Sequence, residues 1–93
     1  MRIISNKALQ DFSDKHPQAK APLQEWRKRM RSTSFKSYSE LKTLYNSVDK
    51  VGNYFVFNIA GNHYRLIAAI HFNTQTLYIR SIMTHEEYNQ WKP

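Results

Sequence analysis

The stretch NYFVFNIAGNHYRLIAAIHFNTQTLYIRSIM, residues 53–83, decides the fold. It contains three apolar segments, 53–60, 63–72 and 76–83, rich in β-branched and aromatic residues. Gly61 and Asn62 separate the first two, a pair suited to the left-handed backbone of a two-residue hairpin loop. Asn73, Thr74 and Gln75 separate the second and third. The pattern predicts a meander of three antiparallel strands. A Gly61–Asn62 loop opposes Asn58 to Arg65. A second two-residue loop at Thr74 and Gln75 would oppose Ala69 to Arg80 and Arg65 to Thr84. His63, Arg65 and Arg80 would then share one sheet face, because alternate side chains on a strand point the same way. Tyr64, Leu66, Ala68, Ile70 and Phe72 would form the opposite, core-facing side. A three-residue second loop would instead move Arg80 to that side.

Upstream, the periodicity changes. MRIIS at the N-terminus predicts a short strand, with Ser5 or Asn6 capping the helix that follows. In NKALQDFSDKH, Ala8, Leu9 and Phe12 recur at helical spacing, and Pro17 ends that helix or opens the next. Ala19, Leu23, Trp26 and Met30 mark one face of a second helix, with Lys20, Arg27, Lys28 and Arg31 opposite. Pro22 is expected to start or kink it. The two helices predict an antiparallel hairpin. SYSELKTLY predicts a third, short helix with Leu41, Leu44 and Tyr45 inward, and NSVDKVGN, residues 46–53, a loop.

Downstream, Thr84 with Glu87 three residues later is the signature of a capping box. His85 becomes the first residue of a final helix, and His85, Tyr88 and Trp91 fall on roughly one face. Packing alone would account for such a stripe.

Composition bounds the function. Ninety-three residues are expected to form a single α+β domain, 1–93. Lys and Arg number 14 against 7 Asp and Glu, a net charge of +7, which favours an anionic partner. Cys is absent, which excludes disulfides, thiol nucleophiles and cysteine-ligated zinc. No apolar run approaches the ~20 residues that span a bilayer, so a soluble, cytoplasmic protein without a membrane partner is expected. Arg65 and Arg80 lie on strands that offer no acidic partner, so they face either water or an anionic ligand. Guanidinium groups match phosphate oxygens in a bidentate way.

Two runs, FNIAGNHYRLIA (57–68) and YIRSIMTHEEY (78–88), resemble the HigB-type toxins of toxin–antitoxin modules. These belong to the RelE-like superfamily of mRNA interferases. The resemblance implies an α+β fold with an N-terminal strand, a helical hairpin plus a short helix, an antiparallel sheet and a C-terminal helix. It implies endonucleolytic cleavage of translated mRNA at the decoding site of the 30S ribosomal subunit. It also implies neutralisation by a cognate HigA-like helix-turn-helix antitoxin. Carried over residue by residue, it marks Asn62, Arg65, Arg80, His85 and Tyr88. The strand 53–60 has none of the lysines that some relatives place there.

The expected catalytic set is Arg65, Arg80, His85 and Tyr88. Asn58, Asn62, His63, Arg27, Lys28, Arg31 and Lys36 are expected to bind RNA. Both arginines would hold the phosphate, and His85 would act as acid or base, with a helix N-terminus and nearby arginines favouring neutral imidazole and hence base. His63 is a second acid–base candidate, and Tyr88 would stack on a base or orient the substrate. No cofactor and no metal are expected. His63 and His71 share a face but lie ~26 Å apart along a strand at ~3.3 Å per residue. The same residues also fit a non-catalytic RNA-binding module, a basic protein-docking domain, or a toxin that has lost activity.

Overall fold

In the computed structural model, which describes residues 1–93, a short strand β1 (Arg2–Ile4) leads into helix α1 (Asn6–Lys15). A 3-10 turn at Pro17–Ala19 joins α1 to α2 (Lys20–Ser32). Then come α3 (Tyr38–Leu44), β2 (Asp49–Val51), β3 (Tyr54–Ile59), β4 (Tyr64–His71), β5 (Thr76–Thr84) and α4 (His85–Gln90). The five strands form one sheet in the order β1-β5-β4-β3-β2. The meander is antiparallel as expected. The sheet as a whole is mixed, because β1 adds to β5 in parallel. A parallel pair needs a long crossover, and here the whole intervening chain provides it.

Each helix forms where its apolar spacing lets it bury a stripe. On α1 that stripe centres on Leu9, and Lys15 complements the carbonyl end of the helix. Ser5 holds the N-cap position without a side-chain hydrogen bond. Ala19, Leu23, Trp26 and Met30 are all buried, as their spacing requires. Pro22 falls in the first turn of α2, where a missing N–H costs nothing, so it does not kink the helix. The Ser37 hydroxyl caps α3 by accepting the Glu40 N–H. The inward face of α3 is narrower than its sequence suggests: Leu41 is buried, whereas Leu44 is 41% exposed. The segment 46–53 is not all loop, because Asp49–Val51 pairs with β3 as the edge strand β2.

The first hairpin follows the expected register. Asn58 opposes Arg65, and the turn closes with His63 N–H donating to the Ala60 carbonyl at 3.3 Å. The turn itself departs from the expected two-residue form: the left-handed residues are Ala60 (φ 53) and Gly61 (φ 67) rather than Gly61 and Asn62, and the last cross-strand pair, Ile59 with Tyr64, leaves residues 60–63 as the loop. The second hairpin differs. Its loop has four residues, with His71 opposite Thr76, a 3-10 turn at Phe72–Thr74 and a left-handed Gln75. The Gln75 amide explains the longer loop: it accepts the Phe35 N–H at 3.1 Å and donates to the Phe72 carbonyl at 2.7 Å. The register then shifts, since Ala68 opposes Ile79 while Ile67 opposes Ser81. Arg80 is the extra residue of a β-bulge. Arg65 therefore opposes Met83 rather than Thr84, and Ala69 opposes Tyr78 rather than Arg80.

Both sheet faces are covered. On one, the three helices pack Leu9, Leu23, Trp26, Met30 and Leu41 against Phe57, Leu66 and Leu77. On the other, which the sequence reading left open, Val56, Ile67 and Met83 form a smaller cluster under Tyr88 and Trp91. Phe57 is central to the larger core, meeting Trp26 and Tyr45 edge to face at 5.3 and 5.6 Å. Phe57→Ala is expected to lower unfolding free energy by about 3–5 kcal/mol, measured by urea denaturation.

Candidate active site

At one end of the sheet the first hairpin, the end of β5, the start of α4 and the end of α1 converge. Local chemistry fixes that corner. Thr84 caps α4: its hydroxyl accepts the Glu87 N–H at 3.2 Å, and the Glu87 carboxylate accepts the Thr84 N–H at 2.8 Å. The next N–H, that of His85, donates to the His63 carbonyl at 2.9 Å. The first helical residue is thus tied to the hairpin, which holds the imidazole over the start of β4.

Arg65 lies beneath it, only 7% exposed. Its Nη1 donates to the carbonyls of Asn62 at 3.3 Å and Tyr64 at 3.1 Å. Its Nη2 donates to Asn62 Oδ1 at 2.5 Å and meets His85 Nδ1 at 3.1 Å. The guanidinium carbon sits 5.5 Å from the Tyr88 ring centroid, a cation–π contact. No carboxylate pairs with it; the two ion pairs of the molecule join Lys7 to Asp11 and Arg29 to Glu25. A guanidinium has no lone pair to offer, so His85 Nδ1 must be the acceptor.

Beside this pair opens a cleft of about 480 Å³, lined by His16, Gln18, Asn62, His63, Tyr64, Thr84, His85 and Glu86. Two of these, His16 and Gln18, come from the α1–α2 connection and carry no signal in sequence spacing. His16 stacks on Phe12 with centroids 4.4 Å apart and planes at 25°. The hydrogen bond from the Thr84 N–H holds the Glu87 carboxyl below its ordinary range, and the positive potential of His16 and Lys15 adds to this.

Arg65, Asn62, His85 and Tyr88 thus meet in one place, with His63 at the rim. Arg80 does not join them. The bulge leaves it exposed, 5.6 Å over the Tyr78 ring and in a second shallow cleft with Tyr54 and Trp91. Asn58 is also apart, although its backbone opposes Arg65. It lines a groove with Trp26, Arg29 and Tyr45, where burial pushes the Tyr45 phenol up against the opposing charge of Arg29. Arg27, Lys28 and Arg31 form a separate basic patch along α2 with Gln24 and Ser32. Lys36 is exposed on the following loop. No cluster of three or more His, Asp or Glu side chains is placed to hold a metal ion.

Residues 19–91 match the family model of the HigB toxin, described as the RelE-like toxic component of a toxin-antitoxin system. The chain belongs to the HigB toxin family. It is 37% identical over 92 residues to the mRNA interferase toxin HigB of Escherichia coli (strain K12), covering 96% of this chain and 88% of that protein. The mRNA interferase HigB of Shigella flexneri shows the same identity and coverage. The mRNA interferase HigB of Escherichia coli O6:H1 is 26% identical over 93 residues, 97% of this chain and 90% of that protein. The segment matched by the HigB family model contains Asn62, Arg65, His85 and Tyr88; His16 and Gln18 lie just before it.

The capping box makes the corner sensitive to acid. Because the folded Glu87 has a depressed pKa, its contribution is complete above the ordinary glutamate value of about 4.3. It declines as pH falls through that value and is gone below the lower folded one. Glu87→Ala is expected to lower the melting temperature at pH 7, and the gap from wild type is expected to narrow as pH is lowered below the ordinary glutamate range.

Proposed function

We propose that this chain is a HigB-type mRNA interferase, an endoribonuclease toxin, with the Arg65–His85 pair as the centre of its active site. The observation that carries the reading is the 3.1 Å contact between a buried, carboxylate-free guanidinium and an imidazole nitrogen, beside an open cleft, in a member of this family. That pair supplies what RNA cleavage by internal transfer requires. The 2′-oxygen attacks phosphorus in line, the bond from phosphorus to the 5′-oxygen breaks, and the products are a 2′,3′-cyclic phosphate and a 5′-hydroxyl. One proton leaves the 2′-hydroxyl and one reaches the 5′-oxygen.

Arg65, itself buried, stabilises the charge that grows on the non-bridging oxygens. The resting tautomer of His85 presents Nε2–H as a donor, so the ring is not an idle base. An arriving phosphodiester is a stronger acceptor than neutral imidazole and competes for the guanidinium. Once Nδ1 is released, the ring can exchange its proton and accept the one from the 2′-hydroxyl. The Tyr88 ring keeps the guanidinium in reach during this exchange. Arg80, outside the cleft, has no contact with the scissile linkage in this scheme and serves instead to attract the RNA strand.

The basic patch of Arg27, Lys28 and Arg31, with Lys36, fits contacts to ribosomal RNA phosphates at the 30S decoding site. The partner antitoxin implied by the family is, in this reading, a HigA-like helix-turn-helix protein acting in the cytoplasm. A single domain, residues 1–93, carries the activity.

Arg65→Ala and His85→Ala are each expected to reduce mRNA cleavage about 10²-fold or more and to relieve growth inhibition, with circular dichroism showing a folded chain. Arg80→Ala is expected to retain most activity. Full toxicity in both Arg65→Ala and His85→Ala would place the active site elsewhere. Adding a chelator is expected to leave cleavage unchanged, measured by mapping new 3′ ends in a translated reporter mRNA.

A further inference from the structure

We propose that His16, backed by Phe12, is a stacking shelf for a nucleobase of the mRNA beside the scissile linkage. The inference rests on the mRNA-cleaving reading above and adds a residue that neither the sequence pattern nor the matched family segment contains. His16 ends α1, where its N–H donates to the Phe12 carbonyl at 2.8 Å and Pro17 fixes the chain direction. Its ring lies on Phe12 with planes at 25°, so one face is occupied and the ring plane is set. Tyr64, 5.8 Å away, braces its edge, and Phe12 meets Tyr64 edge to face at 5.4 Å. The ring is only half-buried and lines the same cleft as His85. It takes no part in the hydrogen bonds that hold Arg65.

A pre-set aromatic plane at the rim of a polar cleft is what an unstacked base needs. Every base has a π-face, so stacking holds it without reading its sequence. Reading falls to polar groups at the base edge, and Gln18 and Glu86, both exposed at the cleft mouth, offer an amide and a carboxylate for that. The shelf holds the nucleotide while Arg65 takes its phosphate, which places the 2′-oxygen for in-line attack.

The test compares wild type with His16→Ala, His16→Gln, His16→Phe and His85→Ala on a translated reporter mRNA, with cleavage rate, pH–rate profile, 3′-end distribution and melting temperature as readouts. Stacking on one aromatic ring predicts a loss of about tenfold to a hundredfold for His16→Ala and His16→Gln, mainly in KM. It predicts near wild-type cleavage with an unchanged pH profile for His16→Phe, which stacks but cannot titrate. His16→Gln and His16→Phe keep the side-chain bulk, so they decide the matter if His16→Ala fails to fold. Unchanged cleavage in His16→Gln, or a His16→Phe variant as inactive as His16→Gln, overturns the shelf and leaves the mRNA reading intact. An inert wild type alongside an equally inert His85→Ala overturns both.

Discussion

A buried positive charge without a carboxylate partner is the constraint around which the functional end of this molecule is built. Desolvating a guanidinium is costly unless its donors are satisfied. Arg65 meets the cost with neutral acceptors alone: two backbone carbonyls, one side-chain amide, one imidazole and the face of a phenol ring. Each of these is held by something else. The Asn62 and Tyr64 carbonyls belong to the hairpin, His85 is tethered to that hairpin through its own N–H, and Tyr88 is pinned by stacking on Trp91 at 5.7 Å. The charge stays uncancelled, and its field is directed at whatever anion enters the adjacent cleft.

The two cores divide the work. The larger one, between the helices and the sheet, makes the scaffold rigid. The smaller one, Val56, Ile67 and Met83 under Tyr88 and Trp91, fastens the helix that carries His85 onto the opposite face. Without that second cluster, six helical residues would have little to hold them against the sheet beyond the capping box. The functional group and its fastening are thus on one face, and the bulk of the apolar burial is on the other.

Much of this was legible in the residues. The alternation of 53–83 marks the meander, Gly61 and Asn62 mark the first hairpin and its register, and Thr84 with Glu87 marks the start of α4. Local chemistry sets those features, so a local reading finds them. The second loop is set by the Gln75 amide reaching Phe35, forty residues away in sequence, and no local pattern announces it. Its extra length and the bulge moved Arg65 from Thr84 to Met83 and put Arg80 outside the cleft. Covering of the second sheet face was readable in part, since Tyr88 and Trp91 fall on one helical side; the apolar residues Val56, Ile67 and Met83 beneath them needed the register. His16 was beyond reach, because only tertiary packing brings residue 16 beside residue 85. The family likeness marks Arg65 and His85 among five residues, with Asn62, Arg80 and Tyr88; the geometry adds that these two meet and which nitrogen faces which.

The bulge at Arg80 has an effect on inheritance as well as on shape. Above it, Leu77 and Ile79 point toward the helices; below it, Ile82 does so while Met83 points the other way. The extra residue switches the parity of the strand partway along. Loss of Arg80 itself would restore even alternation and leave Leu77, Ile79, Ile82 and Met83 on their present sides. A change of length that the bulge does not absorb would instead exchange the sides of everything past it, Met83 and the root of the last helix included, so the spare residue lets this strand lose one position without losing its frame.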